Sequence, residues 1–321
     1  MANQTINGKA FEYACLKALK EKLAALGKDI SVDTSKGFEK AKLFYQRQND
    51  TEKIKLDRAA KTAVKMLLPL EPKIEHGNGV LMLGINGDSA AIGVDGDVRD
   101  VLCIRYNDEW EIGLSCKHNH EALKHPRITE QKDFGSDWIG YKCSREFIDE
   151  ISIVVDRLIE YGNEGRQWNQ IENKQDDYYV PILRAYLKEI QRMCEKHTDA
   201  PEKLLSYFFG SRDFYKVITK ESSKITEIEG FNMNGTLGAA AGRIKPITRI
   251  ATLKMPTRLI EARFKENSKT TIILTFDGGW SITMRLHNKD RIARPTSLAW
   301  DVQLEGLPTG TYVNISPWEE L

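Results

Sequence analysis

Val98-Arg99-Asp100-Val101-Leu102-Cys103-Ile104-Arg105, then Tyr106-Asn107-Asp108-Glu109, then Trp110-Glu111-Ile112-Gly113-Leu114-Ser115-Cys116-Lys117, is the stretch that decides the fold. Two apolar runs flank a segment of turn character, which predicts a β-hairpin. If the chain turns around 107–109, opposing residue numbers sum to about 215–217. Asp100 then faces the segment Ser115-Cys116-Lys117, and cross-strand neighbours lie roughly 5 Å apart at Cα. An acid and a lysine that close can address one phosphate.

Phosphodiester hydrolysis requires a deprotonated water, charge neutralisation at phosphorus and a stabilised leaving oxygen. A carboxylate-held Mg²⁺ and a nearby lysine can supply all three. Mg²⁺ favours oxygen ligands, so Asp100 needs a second acid. Asp97 is a further candidate ligand, one step past the lysine in the same register. Glu111 lies on the strand face of Lys117 but roughly 20 Å along it, and is set aside. Asp100 and Lys117 could equally form a surface cross-strand ion pair with no chemistry. Cys116, His118 and His120 alternate and, with His125, offer a less favoured zinc reading. His118 and His120 are otherwise expected at DNA phosphates, and Asn119 as a helix cap.

Outward from the hairpin, residues 8–26 predict an amphipathic helix through Phe11, Cys15, Leu19, Leu23 and Leu26, ended by Gly27. A second helical stretch covers 38–68, with a break at Gln48-Asn49-Asp50 and a stop at Pro69. The glycine-rich stretch from Gly77 to Asp97 predicts short strands at Val80–Leu83 and Ala90–Ile92. Helices are expected over 143–160 and 179–196. Strands are expected at Phe214–Thr219, Arg249–Leu253, Leu259–Phe264, Thr271–Phe276, Ser281–Leu286 and Trp300–Leu304, with Asp277-Gly278-Gly279 as a hairpin turn. The expected fold class is α/β, a mixed sheet with flanking helices plus a β-rich C-terminal region. The expected division is 1–210 as the core and 211–321 as the β-rich part.

Composition bounds the rest. Apolar residues make up 41% and charged residues 29% of the 321, and the net charge is +1. That is a globular composition with no overall basic excess. Five cysteines without a CxxC pair imply free thiols and a reducing compartment. The N-terminus lacks the pattern of a signal peptide, and a cytoplasmic location is expected. No GxxxxGK[ST] or G-x-S-x-G occurs, so an ATP-driven motor and a serine hydrolase elbow are unsupported. Between Phe231 and Leu259 there is no acid, while Arg243, Lys245, Arg249, Lys254 and Arg258 all fall there. With Lys124, Arg127 and Arg285 they are candidate DNA contacts.

The acid before one strand and the x-x-Lys on the next resemble the PD-(D/E)xK nuclease pattern, with Ser115 at the usual second acid. Some enzymes with serine there recruit a carboxylate from the following helix, for which Glu121 stands before Glu130. Gly8-Lys9-Ala10-Phe11-Glu12 is similar to the first-helix run of that superfamily and makes Glu12 a third acid. Gly96 to Leu102, Glu111 to His125 and Thr296 to Leu304 resemble the HaeIII-type family of type II restriction endonucleases. The resemblance implies Mg²⁺-dependent cleavage of double-stranded DNA at a short palindrome, GGCC for the namesake, leaving a 5′-phosphate and a 3′-hydroxyl. Asp100, a second carboxylate (Glu121, then Glu12) and the Cys116 carbonyl would hold the metal, and Lys117 the water. A palindrome fits a homodimer on DNA, and such a system includes a cognate methyltransferase. A structure-specific or repair nuclease and a non-catalytic DNA-binding protein are the alternatives.

Overall fold

The computed structural model describes residues 3–86, 97–119 and 123–319, with 3–5 described in backbone alone. The expected strand at Ala90–Ile92, together with His120 and Glu121, lies outside the described residues. The chain divides into two compact units: residues 1–121, 211–253 and 310–321 form the first, and 122–210 and 254–309 the second. The single cut expected at 210 is therefore replaced by several passages of the chain between units. The reason is pairing: strands from beyond residue 210 complete the N-terminal sheet.

In the first unit, helices α1 (Asn3–Ala25), α2 (Lys36–Gln46) and α3 (Asp50–Leu67) cover a seven-stranded sheet. The strands are β1 (Ile30–Val32), β2 (Leu81–Ile85), β3 (Val101–Arg105), β4 (Trp110–His118), β5 (Phe214–Lys220), β6 (Ile225–Phe231) and β11 (Tyr312–Pro317), in the order β1-β2-β3-β4-β5-β6-β11. β1–β2 and β4–β5 are parallel and the other pairs antiparallel, so the expected mixed α/β sheet is present. Phe11, Cys15, Leu19 and Leu23 of α1 are buried as their spacing requires, whereas Leu26 lies beyond the helix and is exposed. The break between α2 and α3 is a cap: the Asn49 side chain accepts from the Glu52 N–H.

Arg249–Leu253 is not a strand. Two of its backbone groups are bonded to Asn232, whose side-chain amide donates to the Ile250 carbonyl and whose main-chain carbonyl accepts from the Leu253 N–H. Beneath this segment lies Glu71, just ahead of α4 (Pro72–His76) and fully buried. It accepts from the Tyr215 hydroxyl at 2.7 Å and from the Gly238 N–H. Burial pushes its carboxyl up to about 7 in spite of those donors.

The second unit holds α5 (Phe134–Trp138), α6 (Arg145–Glu164), α7 (Val180–Lys196) and α8 (Ala200–Phe209). Its antiparallel sheet runs β10 (Leu298–Gly306), β9 (Ser281–Asn288), β8 (Thr271–Phe276), β7 (Leu259–Phe264). Ile282, Met284, Leu286, Trp300 and Val302 are buried from one face of that sheet, and Tyr186 of α7 packs on Trp300. The segment 123–128 runs along the outer edge of β10, bonded at Leu123–Val302 and Ile128–Leu298. It blunts an edge that would otherwise be open.

Candidate active site

Val101 pairs with Leu114, which puts the hairpin at the lower end of the predicted register. Continuing it places Asp100 opposite Ser115. The Asp100 N–H donates to the Leu114 carbonyl at 2.7 Å, and its Oδ2 accepts from the Cys116 N–H at 2.7 Å. Both bonds fix the carboxylate at the mouth of β3. Lys117, two residues past Ser115 and so on the same side of β4, brings its Nζ to 3.7 Å from Asp100 Oδ2. The two side chains remain partly accessible, at 21% and 19%.

Glu12, in the middle of α1, is 5% exposed and pairs with Lys9 at 3.1 Å. Burial, and then the nearby Asp100 charge, push its carboxyl up to about 8, against the pull of Lys9 and Lys117. Asp100 and Glu12, with Lys117 and Lys9 beside them, form an oxygen-bearing pocket. That donor set suits a hard divalent ion. Among the described residues no group of three His, Cys, Asp or Glu forms a metal cluster, and the favoured second acid, Glu121, lies outside them.

Other expected ligands are placed elsewhere. Asp97 turns to Arg99, accepting from its backbone N–H at 3.0 Å and from Nη2 at 2.7 Å. Burial works to raise the Asp97 carboxyl, but the Arg99 hydrogen bonds hold it below its ordinary value. Arg99 also reaches Glu111 at 3.1 Å, and Glu111 in turn pairs with Arg212. The Arg99 side chain lies so close over Gly113 that a Cβ there would meet its Cδ at 2.3 Å. The buried guanidinium thereby straps the chain entering β3 onto β4, one residue before Asp100. Neither Arg99 nor Gly113 was singled out from sequence.

Cys116 alternates with Lys117 and so lies on the other side of β4. Its thiol is raised well above the usual range by the Cys15 side chain and by burial. His118, expected at DNA phosphates, is buried instead, with Nε2 2.6 Å from Glu221 Oε1 and its ring edge-on to Phe11. Of the residues in the zinc reading, Cys116 and His118 have these partners, His125 lies 3.6 Å from Asp301, and His120 is outside the described residues. Among the described residues Asn119 precedes no helix that it caps. It sits at φ 52° and accepts from the Glu221 N–H. Glu130 is exposed in the second unit.

Sequence reading also missed a buried pair in register with the site. Ser115 pairs with Lys216 of β5, which pairs with Glu229 of β6, and the two charges meet at 3.3 Å. The alternation of Glu227 and Glu229 along β6 was the available signal.

The candidate DNA contacts divide between units. Arg243, Lys245 and Arg249 are exposed in the first, and Lys254 and Arg258 in the second. Lys124 is held against Tyr207, its Nζ 3.6 Å from the ring centroid and 3.0 Å from the carbonyl. Arg127 donates to Asp290 at 3.1 Å and to the Thr296 carbonyl at 2.7 Å.

A helix-backed mixed sheet with a carboxylate, a lysine and a buried glutamate at one hairpin defines a nuclease-like class. The family model for the HaeIII restriction endonuclease matches residues 8–308. The type II restriction enzyme HaeIII of Haemophilus aegyptius is 36% identical over 315 residues, covering 98% of each chain. The chain belongs to the HaeIII restriction endonuclease family and is a type II restriction endonuclease, a site-specific deoxyribonuclease. The repair-nuclease and non-catalytic alternatives are thereby set aside. Such enzymes generally use a divalent metal and act on DNA. No solved structure matches the chain. No helix among the described residues is long and apolar enough to cross a membrane.

Proposed function

We propose that the chain cuts double-stranded DNA at a short palindrome with Mg²⁺, with GGCC as the first sequence to test. The observation that carries the site assignment is the 3.7 Å approach of Lys117 Nζ to Asp100 Oδ2, with Glu12 buried beside them. Asp100, Glu12 and Glu121, together with the Cys116 carbonyl, are the groups that would hold Mg²⁺. When bound, the ion supplies charge neutralisation at phosphorus and stabilises the leaving 3′ oxygen. Lys117, whose Nζ lies 3.7 Å from Asp100 Oδ2, would orient the attacking water toward phosphorus, and the proton that water sheds leaves to solvent, which also protonates the departing 3′ oxygen. Glu12, whose carboxyl burial and the Asp100 charge push up to about 8, would have to give up its proton to hold the ion. The products are a 5′-phosphate and a 3′-hydroxyl.

Arg243, Lys245, Arg249, Lys254, Arg258, Lys124 and Arg127 are assigned to the DNA backbone, with the second unit as the larger part of the recognition surface. A two-fold target favours a homodimer on DNA. A cognate methyltransferase would protect the same site in a cytoplasmic setting.

Digestion of a sequenced plasmid with and without Mg²⁺ tests the proposal. Discrete bands that require Mg²⁺, and that vanish in Lys117→Ala while gel-shift affinity for the same DNA persists, are expected. Cleavage by Lys117→Ala at the wild-type rate would remove the site assignment.

A further inference from the structure

The polar face of the second unit's sheet carries an arrangement that stability alone does not require. Arg285 of β9 and Asp301 of β10 are direct cross-strand partners, so their side chains share a face. Arg285 Nη2 donates to Asp301 Oδ2 at 3.0 Å, and Gln303 Nε2 donates to the same oxygen at 3.1 Å. The exposure is one-sided: the Asp301 side chain is 4% exposed and that of Arg285 55%. Burying a carboxylate is costly, and a half-exposed ion pair returns little. What the arrangement achieves is orientation. A rigid buried acid holds one end of an arginine fork and leaves the rest directed outward.

The surroundings are cationic. Arg127 lies opposite Ala299, which lies opposite His287, so these three follow the same face one row along. Burial, then Arg285 and Lys289, lower the His287 pKa against the pull of Asp301. Burial and then Arg127 lower that of Lys289, against Asp301 and Asp290. The acids on this side are Asp301, which is buried, Asp290, which Arg127 and Arg294 engage, and Glu261 of β7, which Arg263 engages. The opposite face of the same strands is closed core. A strand ribbon with a positive surround is complementary to duplex DNA, and β-ribbons read the major groove.

We propose that Arg285, aimed by Asp301 with Gln303 as its neighbour, reads a guanine of the target through the O6/N7 edge, and that Asp301 is a positioning residue for specificity. This rests on the reading of the chain as a site-specific DNA nuclease and names the base contact behind that specificity. Arginine to guanine is the pairing its fork geometry favours, and loss of one such contact lowers discrimination by roughly 10- to 100-fold.

The test uses full-length protein and a duplex oligonucleotide carrying the site that the wild type is found to cut. Each guanine is replaced in turn by 7-deazaguanine, which lacks the N7 acceptor. Wild-type kcat/KM should fall about 10- to 100-fold at one guanine of each half-site. Arg285→Ala should show a similar loss on natural DNA and no further loss at that guanine. Asp301→Asn should lower discrimination part-way while gel-shift affinity for unrelated DNA holds. Independent, additive losses at every guanine would overturn the assignment. So would an Arg285→Ala loss that is equal on all sequences with a salt slope reduced by about 1, the mark of a phosphate contact. A wild type that cuts no duplex would instead sink the nuclease reading itself. Arg285 is exposed, so its alanine variant answers the question even if Asp301→Asn fails to fold.

Discussion

Two hairpins in this molecule each set an acid against a base, and they differ in which partner faces outward. At β3–β4 the acid and the lysine are almost equally accessible, and a second carboxyl from α1 is packed beside them. At β9–β10 the acid is buried and the arginine half-exposed. An available carboxylate pair invites a cation, while an available guanidinium invites the anionic and acceptor-rich edge of DNA. Cross-strand pairing of opposite charges is thus the same local device in both sheets. Burial of one partner decides whether the site gathers positive or negative ligands.

The largest expected break in that comparison is at the first hairpin. Asp100→Asn should reduce cleavage by at least about a thousandfold at saturating Mg²⁺, with DNA affinity retained, in single-turnover assays. Near-normal rates would remove Asp100 from the chemistry. Gly113→Ala comes next. Its Cβ would displace the Arg99 strap, so the turnover rate should fall about tenfold or more, at a stability cost of about 1–3 kcal/mol. In the double variant Gly113→Ala/Arg99→Ala the two losses should fail to add, since the second change removes the clash. Strict additivity of the turnover rates would show that the strap does not position Asp100.

Glu71 sharpens the contrast through pH. Its folded pKa of about 7 lies above the ordinary value of 4.5, so the unfolded chain releases this proton first as pH rises. The associated stability is fully present below about pH 4.5 and is lost as pH rises through 7, on the order of 3 kcal/mol in all. Glu71→Gln should therefore remove a decline in denaturant midpoint between pH 5 and 7.5 that the wild type shows. Parallel curves for the two proteins would contradict this. The smallest effect is expected at Arg145 and Asp149, an exposed helical pair. Arg145→Ala should shift stability by no more than about 0.5 kcal/mol in urea unfolding.

Much of this architecture is legible along the chain, and the exceptions share a cause. β7 and β8 run over the expected residues, and α2 and α3 part where an asparagine can cap. β6 escaped because Glu227 and Glu229 look like a solvated face until Lys220 and Lys216 of the neighbouring strand meet them. Arg249–Leu253 has strand composition, but the side-chain amide and main-chain carbonyl of Asn232 take two of its backbone bonds. The Asp100–Lys117 pair was readable because a turn of known position fixes register within one or two residues. Asp97 was misplaced because spacing along a strand does not reveal that a neighbouring arginine folds back to claim it. Glu12 came only from resemblance, since nothing local ties a helix near the start of the chain to a hairpin far downstream.

The parallel pairing of β4 with β5 carries one further implication, for synthesis on the ribosome. His118 ends β4, and Phe214, which begins the strand that flanks it, is reached only after the whole of the second unit's first segment has been made. A nascent chain that has just emerged past Lys117 possesses the acid and the lysine but has a raw edge beside them. The cutting strand thus cannot settle fully into its sheet until the residues of β5 have been made.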